Sequence, residues 1–357
     1  MNRSFIKALV IAVPLTLAGV SCSKDKNDNT NVTDIEALKK QILADAANIV
    51  CKASYQDMFD KAQALKTSIA TLNTTTNDAN LADSQNKWRA MRTTWEQTEA
   101  WLFGPVAEDQ IDPRIDTWPV EFNDLESILS GNQALTPEYV AGLEESLKGF
   151  HPIEYLLWGQ NGNKTAAQFT VREKEFLVSL TANLVKLTTE VRDSWSVDGY
   201  DKQLANAGAG STEFTTQQAA FLQIVDGMSG ICDEVANGKI KEPFDAQDPK
   251  LEESPFAKNS TIDFTNNIKG ILDIYQGRFN SDGKGLEDLV REKDLSLDAD
   301  IKSKHAAAIA ALNDITIPFG EAIVTQQSKV QNAMTKIQAL FNVLDGDLKT
   351  FVQKNVK

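Results

Sequence analysis

The chain has 357 residues, 42% of them apolar, with 50 acidic against 36 basic side chains and a formal net charge of −14. That length suits two ordinary domains or one large one. The acidic surface repels nucleic acid and argues against a phosphate-binding role, so no nucleic-acid partner is expected.

Arg3 and Lys7 precede a mostly apolar run, residues 8–20, and small residues then lead to Cys22. The run is shorter than the roughly 20 apolar residues a spanning helix needs, so it reads as a secretory signal. A small-residue run ending in cysteine resembles a bacterial lipobox, with Gly19 where leucine is usual. Cys22 would then begin the mature chain and carry a lipid that anchors it to a membrane without spanning. This places the protein in the cell envelope as an outer-membrane lipoprotein, facing the periplasm or the surface. Residues 23–32, rich in Asn, Asp and Lys, read as a flexible tether. Beyond them only Cys51 and Cys232 remain, either paired or present as two buried thiols.

Helical periodicity follows nearly throughout. Residues 34–72 carry Ile35, Leu38, Ile42, Ala46 and Ile49 at three- and four-residue spacing, with Thr33 or Asp34 as cap. Further helices are expected over 81–103, 171–195, 215–238, 261–279, 298–312 and 318–352, the last with Pro318 near its start. Alternating runs of strand length are absent, so the expected fold is all-α, built of helical bundles with mostly short loops. The Gly- and Ala-rich stretch 201–212 marks a boundary between an N-terminal bundle, 33–200, and a C-terminal one, 201–357. Two long loops rich in Pro and acidic residues, 104–124 and 241–261, are the irregular segments most suited to function.

The chemistry concentrates in GFHPIEYLLWG, residues 149–159. His151 and Glu154 stand at i and i+3, which on a helix brings their Cβ atoms within about 5–6 Å. Pro152 fits a first helical turn, and the flanking residues are apolar. A buried histidine beside a carboxylate suits a pair of metal ligands, an acid/base pair, or a cap bonded inside a core. HEXXH is absent, and nothing ties the second histidine, His305, to the first. A metal here would rest on carboxylates, which suits a harder ion, iron included. Upstream, Trp88, Trp95 and Phe103 line one helix face, and Glu96 and Glu99 share another. Arg114 and Asp116 lie in the proline-flanked loop DPRIDTWP with Trp118. Ser260 or Thr261 caps a later helix, with Asp263 in its first turn. A Ser-His-Asp order, GxGxxG, a P-loop and CxxCH are all missing, and a nucleophilic hydrolase is not expected.

Together these segments resemble the imelysin family. Gly149, His151 and Glu154 match its GxHxxE motif, followed by Leu157-Trp158-Gly159. WEQTEAWLFGPV, DPRIDTWPVE and SPFAKNSTIDFTNNIKGILDIYQG resemble three further family segments in the same order, across roughly residues 85–280. The resemblance implies two related, pseudo-symmetric up-down helical bundles with a site between them. It also implies export, often as a lipoprotein. The founding activity of the family is metal-dependent peptide cleavage, whereas other members belong to iron-uptake systems. On this footing His151 and Glu154 form the centre of the site, with Arg114, Asp116, Glu96 and Glu99 as further metal or ligand contacts. Trp95 and Trp118 form walls, and Ser260 and Asp263 enter from the second bundle. The favoured reading is an envelope protein of iron or haem acquisition that binds a divalent metal ion, iron or zinc, or a small ligand. Its partners would be the membrane, through Cys22, and iron- or haem-uptake envelope proteins. A metal-dependent peptidase using Glu154 and His151 is the second reading, and a non-catalytic interaction scaffold the third.

Overall fold

The computed structural model describes residues 28–357, with side chains from Asp34 onward. The signal, Cys22 and the start of the tether lie outside the described residues. Helix α1, Asp28–Asp45, begins inside the expected tether and well before the expected cap. Once the turn beginning at Ile35 is nucleated, propagation toward the N-terminus needs no apolar partner. A π-helical turn, Ala46–Cys51, then passes into α2, Lys52–Thr74, so the single helix expected over 34–72 is interrupted by one wide turn.

Asn77 caps α3, Asp78–Thr98, by accepting the Asn80 N–H, and a 3-10 turn follows at Glu99–Trp101. The loop expected at 104–124 holds α4, Pro105–Glu108, and α5, Ile111–Ile115. Next come α6, Phe122–Ser130, α7, Pro137–Ala141, and α8, Phe150–Trp158. Helix α9, Val171–Ser196, starts in a capping box of Thr170 and Glu173. Helix α2 packs between α3 and α9, with α8 against both of these.

The stretch around residue 201 is not wholly irregular, since α10 covers Tyr200–Ala205. The second half contains α11, Gln217–Asp233, extended by a π turn, Glu234–Lys239, then α12, Lys241–Ala246. It continues with α13, Ser260–Gln276, α14, Leu286–Lys293, and α15, Leu295–Asn313. The helix expected over 318–352 divides into α16, Phe319–Thr325, α17, Gln327–Asn342, a π turn, Val343–Leu348, and α18, Lys349–Asn355. The first break falls at Gln326, whose side chain is bonded to the backbone N–H and hydroxyl of Thr316. That tertiary contact holds the residue off helical geometry, a cause periodicity does not record.

Helix α17 packs on α11 and α15, and α13 on α15; the halves meet where α13 crosses α3. The crossing is close because Gly270 has no side chain: a Cβ there would stand 2.1 Å from the Gln97 carbonyl oxygen. Buried apolar residues of both halves form one continuous core. The fold is all-α, and the described residues contain one isolated bridge, Arg278 to Asp282, and no strand. Cys51 and Cys232 are both buried and unpaired. No helix of the described residues is long and apolar enough to cross a membrane.

Candidate functional site

Gly149, with φ of +80°, directly precedes helix α8, which runs buried from Phe150 through Glu154. Its first turn presents His151 inward. His151 Nδ1 lies 3.2 Å from Glu154 Oε2 on the same helix face. His151 Nε2 lies 3.0 Å from Asp116 Oδ1, near enough for charge attraction but out of line for a full hydrogen bond. Asp116 directly follows α5, and Trp95 Nε1 donates to its other oxygen at 2.5 Å. The Trp118 ring stands over the His151 ring with centroids 5.0 Å apart.

The centre of the cluster is a residue that sequence reasoning missed. Arg92, on α3, is fully buried and forms ion pairs with Glu96 on its own helix and with Asp116. From the other half it takes Glu253, 3.1 Å from Nη2, and Asp263, 3.6 Å from Nε. Its guanidinium lies 4.9 Å from the Phe150 ring centre, within cation–π range. A fully buried arginine is tolerated because carboxylates surround it; an unpaired one would be prohibitive.

A second cation, the partly buried Lys239, closes the π turn after α11. Its Nζ lies 3.1 Å from Glu99 and 3.3 Å from Glu253. Asn267 of α13 donates to Glu96 at 2.6 Å and to Glu99 at 2.8 Å. Asp263 accepts from Ser254 and Asn259, and Ser260 donates to Glu252 at 2.7 Å. Glu154 reaches across as well, since its Oε1 accepts the Ala257 N–H at 2.7 Å.

The structure therefore brings together Glu96, Glu99, Asp116, His151, Glu154, Trp95, Trp118, Ser260 and Asp263 of the sequence-derived set. Arg114 is a correction. It follows the turn of α5 outward, bonds to the carbonyls of Gln110 and Asp109, and pairs with half-exposed Glu190 at 3.1 Å. Two residues on, Asp116 points the other way; proximity in sequence does not carry both into one site. Ser260 is the first residue of α13, and no side chain caps that helix. His305 Nε2 donates to the Ile268 carbonyl, 2.9 Å away, apart from the cluster. A signal for Arg92 was present: it sits four residues after Trp88 and three before Trp95, on their buried face. Glu253 and Lys239 carried none, since neither lies in a periodic apolar pattern.

Burial alone would lower the His151 pKa, but Asp116 and Glu154 outweigh it and raise it to about 9, so the ring is an imidazolium at neutral pH. Burial pushes the Asp116 carboxyl upward, yet Arg92 and His151 hold it well below the usual carboxylate range. Burial raises Asp263 to about 6 and Glu252 to about 7 against the pull of Arg92 and Ser260 respectively. Glu99 is also raised by burial, with Lys239 opposing.

A family model described as imelysin matches residues 51–345. The chain belongs to the imelysin family. "Iron-regulated protein A" of the cyanobacterium Synechococcus elongatus is 29% identical over 309 residues, which cover 84% of this chain and 83% of that protein. Two solved structures share the imelysin fold. One, from Parabacteroides distasonis and described as an iron-regulated protein A precursor, superposes with a TM-score of 0.81 at 24% identity, covering 88% of this chain and 95% of that one. The other, an imelysin-like protein of Psychrobacter arcticus, has a TM-score of 0.71 at 13% identity, covering 87% and 94%.

The imelysin motif can be tested against a metal by its donors. Single ligand atoms of Asp116, His151 and Glu253 lie within 4.8 Å of one another, as do those of Glu96, Glu99 and Asp116. The first set, one imidazole and two carboxylates, fits a divalent cation such as iron(II) or zinc. Two features work against tight binding: Arg92 already holds Asp116 and Glu253, and His151 must shed a proton first.

Proposed function

We propose that this imelysin-family chain is an exported cell-envelope protein of iron or haem acquisition, whose buried site between the two halves binds a metal ion or a small polar ligand. The observation that carries the reading is the charge cluster around Arg92. It is built from both halves of the chain, and folding alone gives no reason to bury so many carboxylates, since ion pairs in a core contribute little net stability. The iron connection is drawn from the names of the relatives. Asp116, His151 and Glu253 would hold the ion, which would supply a Lewis-acidic centre. Glu154 would fix the orientation of the imidazole, and Arg92 would keep Asp116 ionised. Cys22 supports attachment to the membrane through a lipid.

The test is calorimetric titration of signal-free protein with iron(II) and zinc(II), alongside Asp116→Asn, His151→Gln and Glu253→Gln. One-to-one binding by the wild type, lost in the variants, is the expected result. Failure of the wild type to bind either ion would remove the metal from the reading. Peptide hydrolysis measured on the same samples separates a binder from a metal-dependent peptidase.

A further inference from the structure

Arg92, Glu96, His151, Glu154, Asp263 and Asn267 are all fully buried. Anything that exchanges with this site must pass a part of the protein that opens. Helices α3, α8 and α13 are poor candidates. Helix α13 touches α3 backbone to backbone at Gly270 and Gln97, and the start of α8 touches the end of α5 in the same way at Gly149 and Ile115. Separating them would break the core itself.

The segment 248–257 differs. Apart from one 3-10 turn, Pro249–Leu251, it has no regular structure. It leaves the second half and lies across the first. Non-glycine residues in the left-handed region bracket it, Gln247 with φ of +51° and Lys258 with φ of +54°. Such positions are strained and recur where a chain segment switches. The segment carries Glu252, Glu253 and Ser254 into the cluster. Near its end Phe256 fills a ring of Trp118, Phe122 and Tyr155, with centroids 6.0, 5.8 and 5.3 Å away. Trp118 in turn covers His151.

Few bonds hold the far end of the segment to the first half. Ala257 N–H donates to Glu154, and the Ala257 carbonyl accepts from Arg89 at 3.0 Å. Glu154 thus holds the imidazole with one oxygen and the segment with the other.

We propose that residues 248–257 form a strap that opens the site by turning at Gln247 and Lys258, with Phe256 as its plug and Glu154 of the GxHxxE motif as its latch. This rests on the cluster being a ligand site. Because the motif glutamate touches both His151 and the strap, a change at His151 is passed to the gate through one carboxylate.

Hydrogen exchange read by mass spectrometry on the unliganded protein tests the strap. Amides of 252–257 should exchange through a local opening, well before those of α3 and α8. Glu154→Ala should speed that exchange by about tenfold or more, because one charged hydrogen bond is lost, while the α3 and α13 amides stay unchanged. Phe256→Ala should do the same and leaves the ion network intact. Exchange of the strap only together with α3 and α8, or strap rates unmoved in both variants, would overturn the proposal. The experiment contains no metal, so a negative result leaves the binding reading standing, and a failure to bind metal leaves the strap standing.

Discussion

Gly149 and Ile115 meet through backbone alone: a Cβ built on Gly149 would stand 2.2 Å from the Ile115 carbonyl oxygen. This contact sets the start of α8 against the end of α5, and it is the reason His151 and Asp116 face each other. The glycine of the motif therefore has two physical requirements, the close approach and a φ of +80°. Gly149→Ala is expected to cost roughly 2–4 kcal/mol in denaturant unfolding, from backbone strain and overpacking together. A loss below about 0.5 kcal/mol, the range of ordinary surface changes, would mean that the contact is slack.

Arg92→Met should be more damaging than its distance from the motif suggests. It leaves Glu96, Asp116, Glu253 and Asp263 buried without their shared cation. Breaking a buried pair from one side costs about 3–5 kcal/mol. Arg92→Lys should fall between, because one ammonium cannot serve four carboxylates as a planar fork does. The gap between wild type and Arg92→Met should narrow as pH falls from 7 toward 3.5, because burial without the cation raises the stranded carboxyls and lets them take up protons. Unfolding curves at pH 3.5 and pH 7 check this; an equal gap at both would mean that Arg92 acts through packing on Phe150 instead.

How much of this was legible in the sequence varies with the physics involved. Helices α3, α9, α11, α13 and α15 follow apolar periodicity closely, because each buries one stripe. The break at Gln326 depends on a bond to Thr316, and the short helices of 104–124 on packing against the rest, so periodicity passes over both. In the site, His151, Glu154 and Asp116 stood out as polar residues set among apolar ones or between prolines. Arg92 shared the face of Trp88 and Trp95, but spacing did not mark it as the centre, since two of its carboxylate partners, Glu253 and Asp263, lie far along the chain. Arg114 shared a stiff loop with Asp116, but a turn of α5 sends the two side chains to opposite sides.

Stability should fall as pH rises through the neutral range. The folded pKa of His151 is about 9 against 6.5 for a free ring, so its contribution is complete below about pH 6.5 and lost as pH climbs through 9. The full difference is about 3 kcal/mol. Asp263 and Glu252, raised by burial to about 6 and about 7, act in the same direction over a lower window, from about pH 4 to pH 7. Asp116 acts in the opposite direction, and only below about pH 4, because Arg92 and His151 hold its pKa down. Denaturant unfolding from pH 4 to 10 should therefore show stability highest at the acid end and falling as pH rises. In His151→Gln the decline between pH 6.5 and 9 should flatten; an unchanged decline would assign it to other groups.

The same proton links the imidazole to metal. Asp116, His151 and Glu253 can receive a cation only when the ring is neutral, and at pH 7 Asp116 and Glu154 keep it charged. Binding of zinc(II) must then release about one proton, and affinity should rise about tenfold per pH unit from pH 7 toward pH 9. Titration at pH 7 in two buffers of different ionisation enthalpy counts the proton directly, since the apparent heats differ by the number released. Binding that releases no proton and keeps its affinity from pH 7 to 9 would exclude His151 as a ligand. It would move the ion to the all-carboxylate set of Glu96, Glu99 and Asp116, where His151→Gln should be nearly silent and Glu96→Gln should not.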